Sequence, residues 1–311
     1  MTTRITQRLM VEHSLTSLQL GMGRLSDTQE KLSTGRQINR PSDSPTGTND
    51  AMRMRAQIAA DDQHARNAQD GLAWMGTTDS TMQSMLDEVR RARDLLVQAS
   101  STGSNGPDAL AAIGSELGQI KESLFSLANT QYLGRPVFGG TTGPDPATGD
   151  NPAYVKTTDA SGAQVVAFRG DTGQVTRRIG TGVDVAINVV GPSAFADKSG
   201  GDLFSVIQDA LDSLGGAPGS SGVSADLGKL DEVAENMSTS LADLGARYGR
   251  VEQAQTRLAG TTLDNRTALS NIENVDLAQA TMDLQLQQVA YQASLGATAR
   301  VLQPSLVDFL K

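Results

Sequence analysis

The side chains that most often carry out chemistry are few in this sequence, and their spacing matches no catalytic or metal site. The two histidines, His13 and His64, have no second histidine four residues away on their predicted helices. The neighbouring carboxylates Asp61–Asp62 and Asp87–Glu88 would diverge around a helix. The chain has no cysteine, so it has no thiol nucleophile and no cysteine-based zinc site. We therefore expect no enzyme activity, no cofactor and no metal.

Three short motifs that resemble binding sites have simpler structural explanations. Gly139–Gly140 is not followed by the residues of a phosphate-binding loop. Arg169–Gly170–Asp171 spells the tripeptide of integrin ligands, but the same residues are typical of a β-turn. Asn236 and Asn265 begin glycosylation sequons that fall in predicted helix. None of these motifs is predicted to be functional.

Composition excludes several classes of partner. The net charge is −9, the pI is about 4.8, and the basic residues form no tract, which argues against nucleic acid and anionic membranes. No stretch approaches the roughly 18 apolar residues of a membrane span, and the N-terminal segment lacks the apolar core of a cleaved signal. We expect no membrane insertion, and either a cytoplasmic location or export without a cleaved signal.

Apolar periodicity predicts a mainly α protein. Helices are expected at 3–36, 50–101, 108–131, 202–214 and 224–302, with Thr48, Asn49 or Asp50 capping the second. Between them, β-type runs occur at Gln164–Phe168, Gln174–Ile179 and Val183–Val190. The pattern predicts a long antiparallel helical rod or coiled-coil bundle, formed by the N- and C-terminal helices, with a small β-rich domain inserted at its tip. The predicted segments are 1–45, a helical hairpin at 46–133, the β-rich domain with a short helix at 134–222, a rod helix at 223–266, and 267–311.

Both ends of the chain carry apolar stripes at coiled-coil spacing. Near the N-terminus, leucine and methionine recur every three or four residues. Near the C-terminus, two such stripes lie on one helix, which is typical of a helix with neighbours on both sides. Chain ends usually fray unless something holds them. The segments 1–45 and 267–311 are therefore predicted to be assembly surfaces.

Four sequence blocks resemble the flagellin superfamily of bacterial flagellar axial proteins. They are LQLGMGRLSDTQEKLSTGRQINRPSDSP, QYLGRPVFGGT, ARYGRVEQAQ and the C-terminal stretch that begins IENVDLAQATMDLQLQQVAYQASLG. Within the superfamily, the residues Arg40–Asp43 and the ending PSLVDFLK are more similar to hook–filament junction proteins than to flagellins. The resemblance covers roughly residues 1–140 and 240–311 and leaves the β-rich middle unmatched.

The resemblance implies a secreted structural subunit of the flagellum. Such a subunit is exported unfolded by the type III apparatus and joins the hook to the filament in a ring of its own copies. Its other partners would be the neighbouring hook-associated protein, flagellin and a cytosolic export chaperone. Two alternatives stay open: flagellin itself, and another secreted coiled-coil assembly protein.

The resemblance also assigns roles to residues of this chain. The expected subunit interface comprises Leu15, Leu18, Met22, Leu25, Leu32, Leu284, Val289, Leu295 and Leu302. A hinge between the inner and outer helical layers is expected at Pro41, Ser42, Asp43 and Pro45. The expected chaperone contacts are Met282, Leu286, Val289 and Tyr291.

Overall fold

The fold is mainly helical, as predicted. A computed structural model describes residues 2–101, 106–143, 150–158, 164–215 and 221–302. The helices are α1 (Thr2–Thr34), α2 (Pro45–Ser100), α3 (Pro107–Ala128), α4 (Gly191–Ala194), α5 (Leu203–Leu214), α6 (Ser221–Glu273) and α7 (Leu277–Leu302). The chain divides into a terminal unit, up to Ala60 and from Thr261 onward, and a central unit, Asp61–Gly260. The division falls within α2 and within α6.

In the described part of the central unit, the strands form three two-stranded antiparallel sheets. They pair β1 (Gln131–Tyr132) with β2 (Arg135–Pro136), β3 (Tyr154–Thr158) with β4 (Gln164–Phe168), and β5 (Thr176–Gly180) with β6 (Val183–Ala186). The predicted run Gln164–Phe168 matches β4. The predicted runs Gln174–Ile179 and Val183–Val190 match β5 and β6 only in part. Strands β1 to β3 were not predicted, because they fall in or beside a stretch rich in Gly, Pro and Thr.

The core of the central unit combines helix stripes with an aromatic cluster. The predicted stripe of α3 is buried at Leu110, Ile113, Leu117, Ile120 and Leu124. The aromatic cluster is centred on Tyr154, whose ring lies 5.3 Å from that of Phe168 and 5.1 Å from that of Phe204. Helix α5 completes this core and begins at a capping box formed by Asp202 and Ser205. The few aromatic residues of the chain are thus largely concentrated where the small sheets meet the helices.

Two asparagine side chains form hydrogen bonds with backbone groups that are not paired by a neighbouring strand. The amide of Asn188 accepts a hydrogen bond from the backbone N–H of Val175 at 2.8 Å and donates one to the carbonyl of Gly173 at 3.0 Å. The amide of Asn129 makes the same pair of bonds with the backbone of Tyr154, at 2.9 and 3.0 Å. Both amides satisfy backbone groups in the protein interior that would otherwise lack a partner.

In the terminal unit, α1 packs against α7. The prediction of one continuous helix over 224–302 is wrong at 274–276, where α6 ends and α7 begins. The carboxylate of Asp276 accepts hydrogen bonds from the N–H groups of Ala278 and Gln279 and so caps α7. The capping prediction for α2 is also wrong, because the helix begins at Pro45 and the hydroxyl of Ser44 accepts from the N–H of Gly47 at 3.2 Å.

Candidate assembly surface on the terminal helices

Helices α1 and α7 meet along a coiled-coil seam. The half-buried positions of α1 recur at spacings of three and four from Ser14 to Thr28, as do the buried and half-buried positions of α7 from Ala280 to Tyr291. At the centre of the seam, the hydroxyl of Thr28 donates to Oε1 of Gln287 at 2.9 Å. A Cβ placed on Gly21 would lie 3.5 Å from Cδ2 of Tyr291. The seam comprises Ser14, Leu18, Gly21, Leu25, Thr28 and Leu32 on α1, and Ala280, Leu284, Gln287, Tyr291 and Thr298 on α7.

This seam buries little apolar surface. Among the described residues of the terminal unit, the fully buried apolar side chains are Ala51 and Ala280. Serine, threonine, glycine and glutamine occupy about half of the seam positions, and their contacts replace hydrogen bonds to water rather than remove large apolar groups from it. The pairing of α1 with α7 within one chain is therefore weakly stabilised.

Large apolar side chains lie instead on the outer faces of both helices. Met22 is 62% exposed and Leu286 is 70% exposed. We call the full set the exposed apolar row: Leu9, Leu15, Leu20 and Met22 on α1, and Leu277, Met282, Leu286, Val289 and Leu295 on α7. Several exposed large apolar side chains on two packed helices are typical of surfaces that become buried in an assembly.

The predicted interface residues divide between the seam and the exposed apolar row. Leu18, Leu25, Leu32 and Leu284 are half-buried in the seam of one chain. The exposed members of the predicted interface are Leu15, Met22, Val289 and Leu295. The side chain of Leu302 lies outside the described residues.

The predicted chaperone contacts divide in the same way. Met282, Leu286 and Val289 are exposed, and Tyr291 is half-buried beside Gly21. One face of α7 is therefore available to a partner, while the face that carries Tyr291 is turned toward α1.

The predicted hinge residues lie in the connection between α1 and α2 or at its end. The carboxylate of Asp43 accepts hydrogen bonds from the N–H groups of Arg40, at 2.8 Å, and Asn39, at 3.0 Å. These two bonds hold the pKa of Asp43 below its usual value. Pro41 and Ser42 are exposed in the same turn, and Pro45 is the first residue of α2. The segment is thus a turn with its own hydrogen bonds.

This connection is paired with the break between α6 and α7. The N–H of Gln37 donates to the carbonyl of Glu273 at 2.7 Å, and the N–H of Val275 donates to the carbonyl of Gly35 at 3.0 Å. The side chains of Arg55 and Glu273 form an ion pair at 2.7 Å. Sequence reasoning found the proline-rich connection but missed its partner, because 273–275 contains neither proline nor glycine.

The tripeptide Arg169–Gly170–Asp171 has a structural role in the fold. The carboxylate of Asp171, in the Arg169–Gly170–Asp171 tripeptide, accepts hydrogen bonds from the N–H groups of Thr141, at 2.6 Å, and Gly173, at 2.8 Å. The hydroxyl of Thr141 and these N–H groups hold the pKa of Asp171 below its usual value. Within the described ranges, no cluster of three or more histidines and carboxylates could hold a metal ion, and no helix is long and apolar enough to cross a membrane.

Comparison with known proteins identifies the relatives of this architecture. The model of the bacterial flagellin N-terminal helical region matches residues 5–142, and that of the C-terminal helical region matches residues 227–310. Flagellin from Bacillus subtilis is 26% identical over 309 residues, which are 96% of each chain.

Solved structures share the fold at low sequence identity. A putative flagellar hook-associated protein from Vibrio parahaemolyticus superposes with a TM-score of 0.65 and 17% identity, over 75% of this chain and 100% of that one. FlgL from Xanthomonas campestris superposes with a TM-score of 0.59 and 16% identity, over 70% of this chain and 99% of that one.

Proposed function

Because this chain belongs to the flagellin superfamily of bacterial flagellar proteins, we propose that it is a structural subunit of the flagellum that joins the hook to the filament. The observation that carries the structural role is the exposed apolar row on α1 and α7, which needs a partner to leave water. The family's members are structural proteins rather than enzymes, and the row offers packing surface rather than reactive groups.

Two observations favour the junction over the filament. The proteins of known structure that share this fold with TM-scores of 0.65 and 0.59 are described as a hook-associated protein and as FlgL. A further solved structure, from Legionella pneumophila, is described as a flagellar junction protein, with a TM-score of 0.57. The turn at Arg40–Asp43 agrees with this reading, since its residues resemble those of junction proteins. The resembling C-terminal ending, from Pro304, lies outside the described residues.

The proposed mechanism follows from the weak seam and the exposed apolar row. A chain whose terminal helices pair weakly is easily exported in an unfolded state, and a cytosolic chaperone at Met282, Leu286 and Val289 would keep the row from associating too early. On arrival, copies arranged in a ring bury the row against each other and against the adjoining hook-associated protein and flagellin. The entropy lost when the helices become ordered is offset only at that site, which restricts assembly to it.

Deletion of the gene in its own host tests this function. Negative-stain electron microscopy should show hooks without filaments, and flagellin should accumulate in the medium because nothing retains it. Expression of the chain from a plasmid should restore filaments. Normal hooks and filaments in the deletion strain would rule out the junction role.

Flagellin itself is the second candidate. It is favoured by the match to Bacillus subtilis flagellin, which extends over 96% of both chains. A filament subunit polymerises in bulk on filament seeds, whereas a junction subunit adds only a limited layer. Sedimentation of the purified chain after seeding distinguishes the two, because long polymers made of this chain alone would favour the flagellin reading.

A further inference from the structure

The turn of the β1–β2 hairpin exposes a leucine in an unfavourable backbone conformation. Leu133 is 81% exposed and has a φ of +50°, and Gly134 follows with a φ of +75°. A two-residue hairpin turn with positive φ at both positions favours Asn-Gly or Asp-Gly, since side chains without a local hydrogen bond rarely adopt this conformation. Leu133 thus combines backbone strain with exposure of a large apolar side chain. Strain of this kind clusters where a residue makes a functional contact.

The base of this hairpin is fixed and carries an unpaired positive charge. The ring of Tyr132 packs edge-on against the buried ring of Trp74, with centroids 5.6 Å apart. The guanidinium of Arg135 lies 5.5 Å from the centroid of the same Trp74 ring. Arg135 has no ion-pair partner in the part of the chain that the structure describes. The hairpin therefore presents an apolar side chain, which we call the Leu133 knob, near a cation that packs on Trp74.

An open cavity lined by apolar residues and one carboxylate lies between α2 and α6 of the central unit. Its volume is about 230 Å³. The side chains of Met75 and Leu244 are buried beneath it. Its six lining residues are Met75, Gly76, Asp79, Leu244, Gly245 and Tyr248, and we call it the Gly76–Gly245 cavity.

Two glycines keep this cavity open. A Cβ at Gly76 or at Gly245 would meet no atom within 4 Å, so neither glycine is required by packing inside the chain. Glycine is less favourable than alanine in a helix interior, and both residues lie well inside their helices. The open space beside the partly exposed ring of Tyr248 suits an apolar group from outside.

The charges of the knob and the cavity are complementary. The carboxylate of Asp79 lines the cavity and accepts a hydrogen bond from the side chain of Gln83 at 2.8 Å. Among the residues that the structure describes, no cation pairs with Asp79. The unpaired guanidinium of Arg135 beside the knob could supply this charge, and such complementarity fixes the register of an interface.

The knob and the cavity face different directions on one chain. The hairpin packs on Trp74, whereas Met75, Gly76 and Asp79 project from α2 at roughly 100 to 200° around the helix axis from Trp74. Complementary features on different faces of one subunit generate head-to-tail contacts, which close into a ring when the rotation allows it.

We propose that the Leu133 knob of one copy of this chain inserts into the Gly76–Gly245 cavity of the next copy, with Arg135 facing Asp79. The inference rests on the proposed function, because it needs an assembly in which copies are adjacent. One leucine buries far less than the roughly 800 Å² per partner of a stable interface. The contact therefore forms only where the terminal helices have already brought the copies together.

Two variants test the contact, one by changing the knob and the other by changing the cavity. Leu133→Asn relieves the backbone strain and removes the knob, and Gly245→Leu fills the cavity. Both should keep or raise the melting temperature of the isolated chain. Both should lower the amount of chain retained on sheared flagella by about tenfold, because the burial of one leucine is lost.

Gly228→Leu is the matched control, since Gly228 is also a helical glycine with open space but lies outside the cavity. Unchanged retention for Leu133→Asn and Gly245→Leu would overturn the proposal.

Cysteine crosslinking gives a direct readout, because the natural chain contains no cysteine. A chain with both Leu133→Cys and Gly245→Cys should form a ladder of disulfide-linked multimers in isolated flagella and should stay monomeric before assembly. The pair Val97→Cys and Gly245→Cys is the control and should give no ladder. The proposal fails if assembled flagella give no ladder, or if the disulfide forms within one chain. The readout is independent of the junction role, because a ladder would form at this contact in a filament as well.

Discussion

At the scale of single residues, the central unit depends on polar side chains that replace backbone partners. The side chain of Asn188, which follows β6, bonds the backbone of Gly173 and Val175 just before β5 begins. Asn129 does the same for the first residue of β3. Neither role is visible in the sequence, because an asparagine in a loop usually indicates a turn rather than a strand substitute.

Replacing Asn188 with alanine should destabilise the central unit. The Asn188→Ala variant leaves the N–H of Val175 buried without a partner, which costs about 2 kcal/mol. Urea denaturation followed by circular dichroism measures this loss. Asn67→Ala is the control, because Asn67 donates to the carbonyl of Arg178 at an exposed position where water can replace it. Equal losses in the two variants would contradict the role of Asn188.

The carboxylate of Asp43 should become protonated at a lower pH than that of an ordinary aspartate. The N–H groups of Arg40 and Asn39 stabilise the carboxylate, so the folded pKa is below the usual 3.8. A lowered folded pKa means that the stabilisation is present above the unfolded pKa and is lost as the pH falls through the folded pKa. Carboxyl-detected NMR should give a midpoint below 3.8 for Asp43.

The variant Asp43→Asn provides the matching control for that titration. This variant lacks the carboxylate. The amide NMR signals of the connection between α1 and α2 should therefore not shift in the pH range in which Asp43 titrates. A titration midpoint for Asp43 at or above 3.8 would mean that the turn is not held by these hydrogen bonds.

At the scale of elements, the terminal helices have two overlapping heptad patterns. The sequence favours the register of Leu15, Leu18, Met22 and Leu25, because it contains the largest apolar side chains. The seam in the structure replaces Leu15 and Met22 with Ser14 and Gly21. A Cβ on Gly21 would lie 3.5 Å from Cδ2 of Tyr291, which is an ordinary contact distance, so the ring of Tyr291 packs beside this small residue. The seam therefore has small residues at two positions where the apolar pattern predicts leucine and methionine.

Sequence reasoning succeeded where an element is stabilised by its own pattern. The buried stripe of α3, the amphipathic helix α5 and strand β4 all follow from local sequence patterns. It failed at 274–276, because the break depends on the backbone of Gly35–Gln37, far away in the chain. The prediction also missed β3, although its partner β4 was found.

Charges in the exposed apolar row should block assembly without unfolding the chain. Met22→Asp and Leu286→Asp each place a carboxylate on an exposed position, so the circular dichroism of the isolated chain should not change. Incorporation into flagella should fall about tenfold or more, since burying a charge in an apolar interface is costly. Quantitative immunoblotting of purified flagella measures incorporation.

Gln19→Asp is the control for these charges, because Gln19 is exposed on α1 outside the row. It should be incorporated like the natural chain. If Met22→Asp were incorporated as well as Gln19→Asp, the row would not be an assembly surface.

At the scale of the whole molecule, the two units differ in how they are stabilised. The central unit contains the aromatic cluster and nearly all of the buried apolar side chains that the structure describes. The terminal unit buries few apolar side chains and exposes several large ones. This difference suits a subunit whose central unit is stable by itself and whose terminal helices are stabilised by neighbouring subunits.

Hydrogen exchange of the isolated chain should separate the two units. Amides of α3 and α5 should be protected close to the limit of global unfolding, because they line the core. Amides of α1 and α7 should exchange orders of magnitude faster and become protected in flagella. Equal protection of α1 and α3 in the isolated chain would show that the terminal seam is stable by itself.

The proposed role depends on where this chain lies in the flagellum, and immunogold electron microscopy of intact flagella measures that position. An antibody against the central unit should label one narrow band where the hook meets the filament. Label spread along the filament would contradict the junction role and identify the chain as a filament subunit.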